Sequence, residues 1–268
     1  MNALAQSGAA MLGGVLRRTE VLGGGSLSQI VRIALCDGRE AIVKNGPAPL
    51  IEAAMLGAIA ASGAPAPKVL AASSQALVIE VLADEGGLDR AWASLGGALR
   101  TLHAARGERY GWSDDYAFGS VAIENDWSDD WPRFWAERRL LNHQRHLPGG
   151  IARRVEALAA DLPNRLPAAP VPSLLHGDLW GGNVLAESGR VSGLIDPACY
   201  YGHVEVDIAM LTLFDRPDTS FYSAYGPLEP GHEQRLAIYR LWPALVHVRL
   251  FGISYLAMVE QHLIAAGV

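Results

Sequence analysis

Cysteine is almost missing: the 268 residues hold only Cys36 and Cys199, and neither stands in a CxxC pair or beside a cluster of histidines. A disulfide framework and a structural zinc site are therefore unsupported, and a reducing cytoplasm fits best. Basic residues are also few. There are 22 Lys and Arg against 28 Asp and Glu, a formal net charge of −6, and the basic ones are scattered along the chain. Nucleic acid demands a concentrated basic surface, so DNA and RNA are poor partners for this sequence. No uncharged apolar run reaches the roughly 18 residues that span a bilayer. The opening MNALAQSGAAMLGG lacks the basic start of a signal peptide. The expectation is a soluble, unprocessed, cytoplasmic chain with no membrane partner. Internal repeats are lacking as well. What is plentiful is core material: half of the residues are hydrophobic, enough for one large domain or two lobes.

From residue 21 the chain reads VLGGGSLSQIVRIALCDGREAIVK, a glycine cluster followed by two β-rich runs around Asp37-Gly38. Asp-Gly between alternating apolar runs predicts a hairpin with a type I′ turn. Residues 48–62 read as a helix carrying Glu52, and two further short strands are expected at 69–72 and 76–82. Beyond the polar, glycine-rich ADEGG at 83–87 nearly everything periodic is helical: 88–105, 130–146, 151–162 and 233–265, the last with a kink expected at Pro243. Residues 162–172 read as an extended Ala/Pro linker. This predicts an α+β chain with a β-rich part over 1–82 and a helical part over 83–268.

The chemistry concentrates in LLHGDLWGGNVL at 174–185 and VSGLIDPACYYG at 191–202. Asn183 lies five residues after Asp178, and Asp196 thirteen beyond Asn183 at the end of an apolar run. Phosphoryl transfer from ATP needs a carboxylate beside the acceptor hydroxyl and hard oxygen ligands for Mg²⁺. Asp178 suits the first task, Asn183 and Asp196 the second. Singly, each is an ordinary turn or cap residue; their joint spacing is what points to chemistry. Lys44 ends a predicted strand and Glu52 sits on the helix that follows, the arrangement in which a lysine on ATP phosphates is steadied by a helix glutamate. Gly24, Gly25 and Ser26 would let backbone N–H groups approach those phosphates.

Taken together, GGGSLSQ, IVKN at 42–45, LRTLHA at 99–104, FGS at 118–120, NDWSDDWPRFWAERRL at 125–140, HGDLWGGN, IDPACYYGHVEVDIAMLTLF at 195–214 and HVRLFGISY at 247–255 resemble the fructosamine kinase (ketosamine kinase) family over nearly the whole chain. That family is similar to aminoglycoside phosphotransferases and, more distantly, to protein kinases. The resemblance implies a bilobal protein-kinase-like fold with ATP between the lobes and backbone groups from Glu80 to Leu82 at the adenine. It also implies Asp178 as base for a sugar 3-hydroxyl, and a substrate that is a small ketosamine or a glycated protein lysine. Trp180, Tyr200, Glu205 and His247 would face that substrate, while His176 and Asp207 would brace the loop. Where some relatives carry a cysteine in the glycine-rich loop this chain has Ser26, so redox control there is not expected. Two other readings use the same residues: a kinase of aminoglycosides or amino alcohols, and a nucleotide-binding module without turnover.

Overall fold

The computed structural model describes residues 2–23 and 28–268. Helix α1 (Ala3–Met11) precedes strands β1 (Leu16–Leu22), β2 (Gln29–Leu35) and β3 (Glu40–Asn45), then helix α2 (Pro49–Ser62), β4 (Val69–Ala72) and β5 (Leu77–Ile79). The strands form one antiparallel sheet in the order β1-β2-β3-β5-β4. Side chains alternate across a strand, and here the alternation sets two faces. Val31, Ile33, Val43 and Val78 are buried with Leu4 and Ala5 of α1, whereas Leu77 and Ile79 meet Leu56 of α2. Lys44 follows Val43 and so belongs to the α2 side. Its strand is central, paired to Ile30 on one edge and Leu77 on the other.

Helix α1 is not anticipated by the sequence pattern, because its Ala- and Gly-rich stretch has little amphipathic contrast. Asn2 caps it, its side chain accepting from the N–H groups of Leu4 at 3.0 Å and Ala5 at 3.3 Å. The hairpin between β2 and β3 also departs from expectation. Leu35 N–H donates to the Arg39 carbonyl at 2.8 Å, and in the loop so closed only Gly38 has positive φ, at 90°. A type I′ turn needs two such residues. Asp37 is spared because its carboxylate accepts from Arg39 N–H at 3.0 Å.

The second part holds α3 (Trp92–His103), the hairpin β6 (Tyr116–Phe118) and β7 (Val121–Ile123), α4 (Trp131–Trp135), α5 (Gly149–Arg165), β8 (Ser173–Leu175), β9 (Val184–Glu187), β10 (Arg190–Leu194), β11 (Tyr200–Gly202), α6 (Glu205–Phe214), α7 (Thr219–Tyr225), α8 (His232–Phe251) and α9 (Leu256–Ala265). The segment expected as one helix over 130–146 is α-helical only at its start and continues as π and 3-10 turns. Helix α5 runs through Pro163 to Arg165, so the extended linker is shorter than expected; buried Leu158 and Leu162 hold its last turns. Likewise α8 passes through Pro243, and the break falls at Gly252, whose φ of 91° is open to glycine at little cost. Among the described residues no helix is long and apolar enough to cross a membrane.

One contiguous core extends from Met55 and Ile59 of α2 to Val259 and Leu263 of α9. Trp131 and Trp135 lie at its centre, with the Trp131 indole N–H donating to the Tyr239 hydroxyl at 2.9 Å. A lobe boundary at residue 83 remains a proposal: β5 has ended and α3 has not begun, yet α2 belongs to both cores.

Candidate active site

Strand β8 delivers the chain into the loop 176–183, and Asp207 in the first turn of α6 anchors that loop from below. Its carboxylate accepts from His176 N–H at 2.7 Å, Gly177 N–H at 2.9 Å and His103 Nε2 at 3.1 Å. Burial pushes the Asp207 carboxyl up, but the hydrogen bond and charge of His103, with His176 and the Gly177 N–H, outweigh it and hold it below the ordinary range. His176 donates Nε2–H to the Ile195 carbonyl at 3.0 Å. Burial lowers its pKa, which keeps it a neutral strut. Gly177 has φ of 80°, and a Cβ there would lie 2.0 Å from the Ala198 carbonyl oxygen, so no other residue fits.

The loop presents Asp178. Asn183 spends both amide hydrogens on it, one to the Asp178 carbonyl at 2.8 Å and one to Oδ2 at 3.0 Å. Among the described residues this leaves the Asn183 amide oxygen without a partner. Burial, with the nearby charges of Asp196 and Asp207, pushes the Asp178 carboxyl up to about 7 against the opposing Asn183 hydrogen bond. A carboxyl whose pKa is 3.8 unfolded and about 7 folded binds its proton more tightly in the folded chain. Ionisation therefore costs stability, increasingly as pH rises from 3.8 and fully above about 7. Asp178→Asn is accordingly expected to melt higher than the parent at pH 8, with the gap closing by about pH 4. Thermal melts at the two pH values check this; a gap that does not change with pH contradicts it.

Asp196 reaches the same place by way of a hairpin. β9 and β10 pair with Val184 opposite Leu194, and Ile195 N–H donates to the Asn183 carbonyl at 3.0 Å. The thirteen-residue spacing thus returns Asp196 beside Asn183. Its φ of 54° is a left-handed conformation that Asp tolerates better than most residues. Across the cleft the Lys44 ammonium lies 2.7 Å from Glu52 and is also bonded to Asp196. Burial alone would lower its pKa, but Glu52 and then Asp196 outweigh burial and raise it, so Lys44 stays charged. Tyr116, which the sequence did not single out, brings its hydroxyl 3.5 Å from Glu52.

One cleft of about 320 Å³ is lined by Lys44, Glu52, Asp178, Asn183 and Asp196 together with Trp180 and His247. Trp180 is 41% exposed and meets Phe214 edge-on at 6.3 Å. His247 donates Nδ1–H to the Pro243 carbonyl at 2.7 Å. Glu80 and Leu82 do not line this cleft. The Glu80 N–H is engaged by the Lys68 carbonyl at 3.0 Å. Gly24, Gly25 and Ser26 lie outside the described residues.

Tyr200 and Glu205, expected at the substrate, stand elsewhere. Tyr200 is fully buried and the Arg139 guanidinium sits over its ring at 4.3 Å. Glu205 is buried and takes a two-pronged bond from Arg235, Nε at 2.7 Å and Nη2 at 2.5 Å. Both residues hold the interior together, and neither lines the cleft. Glu205→Ala, which strands Arg235, is expected to cost about 3 kcal/mol of stability while leaving the acceptor KM unchanged. Denaturant melts and steady-state kinetics on one preparation separate the two effects. Besides Tyr116, the cleft side chains that sequence reasoning missed include the apolar Met210, Phe214, Trp242, Val246, Leu250 and Phe251. On helices their spacing looks like ordinary core.

A charged lysine braced by a helix glutamate under an antiparallel sheet, facing an Asp, Asn and Asp set on a helical part, is laid out on a protein-kinase-like fold. The chain belongs to the fructosamine kinase family, whose model matches residues 19–266. It is 36% identical over 201 residues to a probable ketoamine kinase of Synechocystis, covering 70% of this chain and 66% of the relative. It is 34% identical over 189 residues to the chloroplastic protein-ribulosamine 3-kinase of Arabidopsis thaliana, covering 66% of this chain and 58% of that one. The matches thus span less than two thirds of these relatives' lengths. A Thermobifida fusca protein named as a fructosamine-3-kinase superposes with a TM-score of 0.91 at 30% identity, over 99% of each chain.

Proposed function

We propose that this chain is an ATP-dependent kinase acting on ketosamines, transferring the terminal phosphoryl group of ATP to the 3-hydroxyl of a ketose joined to an amine, in the service of deglycation. The observation that carries the proposal is the convergence of Lys44, Glu52, Asp178, Asn183 and Asp196 on one cleft that also has apolar and aromatic walls. Asp178 accepts the proton of the sugar hydroxyl as the new O–P bond forms and the bond to the leaving ADP breaks. Lys44, kept charged and in place by Glu52, attracts the phosphates. In the adenine region backbone groups from Glu80 to Leu82 are the proposed contacts, and Gly24, Gly25 and Ser26 the proposed cover over the phosphates.

Magnesium suits this donor set. The Asn183 amide oxygen is unspent because both its hydrogens serve Asp178, and the Asp196 side chain is 38% exposed at the cleft. Among the described residues no group of three or more His, Cys, Asp and Glu could hold a metal without help. Few hard oxygens, completed by phosphates and water, is the preference of Mg²⁺. Asn183 and Asp196 would hold the ion, which would supply positive charge against the phosphates. Were Asp196 to serve a metal, Lys44 would keep Glu52 as its partner.

The test is ADP release with a panel of fructosamines and ribulosamines set against aminoglycosides. Magnesium-dependent release with ketosamines is expected. Activity confined to the antibiotics would put the chain in the other substrate class.

A further inference from the structure

Helix α6 grips the loop 176–183 from both of its ends. In the first turn Asp207 takes the N–H groups of His176 at 2.7 Å and Gly177 at 2.9 Å, just before Asp178. At the other end the C-cap residue Asp215 turns its side chain back to the same loop. Its Oδ2 accepts from the Gly181 N–H at 2.8 Å, just after Trp180. Phe214, one residue earlier, meets the Trp180 ring edge-on at 6.3 Å. Both residues after Trp180 are glycines for a reason that this arrangement supplies. A Cβ at Gly181 would stand 2.6 Å from Asp215 Oδ1, and one at Gly182 would stand 2.2 Å from the Trp180 ring. The carboxylate and the indole thus occupy the space that two side chains would otherwise need.

The residues on either side of the Gly181-Gly182 pair differ in how well they are held without Asp215. Asn183 has its own ties: its amide donates to the Asp178 carbonyl and Oδ2, its N–H to the Trp180 carbonyl at 2.9 Å, and its carbonyl accepts from Ile195 N–H at 3.0 Å. Trp180 is exposed and rests on Phe214 and the Gly182 backbone. Its bearing follows the course of the chain at Gly181, and two successive glycines leave that course loose unless something fixes it. A carboxylate on a backbone N–H is among the stronger hydrogen bonds. We infer that Asp215 is a positioning residue, which through the Gly181 N–H fixes the Trp180 wall of the cleft for the acceptor. The inference rests on the ketosamine kinase reading above, with the acceptor lying against Trp180. Asp178 and Asn183, anchored by other bonds, stay in place without Asp215, so its loss is felt in acceptor binding and not in the phosphoryl transfer itself.

The experiment is steady-state ADP release from the fructose adduct of butylamine, with the acceptor and MgATP varied in turn, in the parent, Asp215→Ala, Asp215→Asn, Gly181→Ala and the double variant Gly181→Ala/Asp215→Ala. Asp215→Ala is expected to raise the acceptor KM about tenfold, with kcat and the KM for MgATP within about a factor of two of the parent. Asp215→Asn keeps an oxygen for the Gly181 N–H and should restore most of the loss. Gly181→Ala pushes the Asp215 side chain off that N–H and should match Asp215→Ala, and the double variant should be no worse than either single one, because both changes remove the same contact. Gly181→Ala also carries the test should Asp215→Ala fail to fold. An unchanged acceptor KM in Asp215→Ala overturns the inference and leaves the kinase reading standing. So does a fall in kcat with both KM values raised alike, which marks general loosening of the loop. An Asn variant as poor as Ala, or losses that add in the double variant, overturns the route through the Gly181 N–H. No ADP release by the parent overturns the kinase reading and the inference together.

Discussion

Asp178→Asn is expected to lower kcat by about 10²- to 10⁴-fold, the usual worth of a positioned base, while nucleotide affinity stays within about a factor of two. The substitution keeps the size of the side chain and an oxygen for Asn183 to bond, so the loop built on Asp207, His176 and Gly177 has no reason to move. What disappears is the carboxylate proposed to take the hydroxyl proton. Phosphoryl transfer passes through a loose transition state in which positioning does much of the work, so the fall should sit toward the lower part of that range. Rapid-quench turnover together with calorimetric titration of a non-hydrolysable nucleotide checks both halves. A variant that retains near-native kcat contradicts the assignment of Asp178. One that loses nucleotide binding instead places its role in folding the loop.

Asp196→Ala is expected to weaken binding of the magnesium–nucleotide complex by about ten- to a hundredfold, the scale of losing one oxygen from a metal's coordination set. Metal-free nucleotide should bind the variant and the parent alike. The contrast matters because Asp196 is also a partner of Lys44, and removing it could act through the lysine instead. Lys44 retains Glu52 at 2.7 Å, so its charge and position survive the substitution. Loss of affinity that is the same with and without magnesium would shift the role of Asp196 from metal to lysine.

Much of this site is legible in the sequence because its parts are local. HGD followed by Asn five residues on describes a single loop, and an apolar run ending in Asp describes a hairpin that returns to it. Lys44 and Glu52 are separated by one strand end and one helix start, a distance over which periodicity is dependable. The misreadings concern facing instead. Tyr200 and Glu205 sit in the same motif as Asp196, yet β11 and the first turn of α6 point them into the interior, where Arg139 and Arg235 wait from segments 61 and 30 residues away in sequence. No local pattern announces such a partner. The aromatic wall was hidden for the converse reason: Phe214, Val246 and Leu250 have the spacing of core residues, and only the packing of α6 against α8 leaves them lining a cleft. Helix α1 was missed because its side chains are too small to make a pattern; Gly8 is required there, since a Cβ would stand 2.3 Å from Val43.

The central claim is that the cleft between Lys44 and Trp180 phosphorylates a ketosamine on its third carbon. Incubation of a fructosamine with ATP and magnesium, followed by phosphorus-coupled NMR of the purified product, reads the position of the new ester directly. The account predicts a single monophosphate whose phosphorus couples to the proton on carbon 3, formed by the parent chain and lost in Asp178→Asn. Phosphate on another hydroxyl, or ADP formed with no phosphorylated sugar, would contradict it.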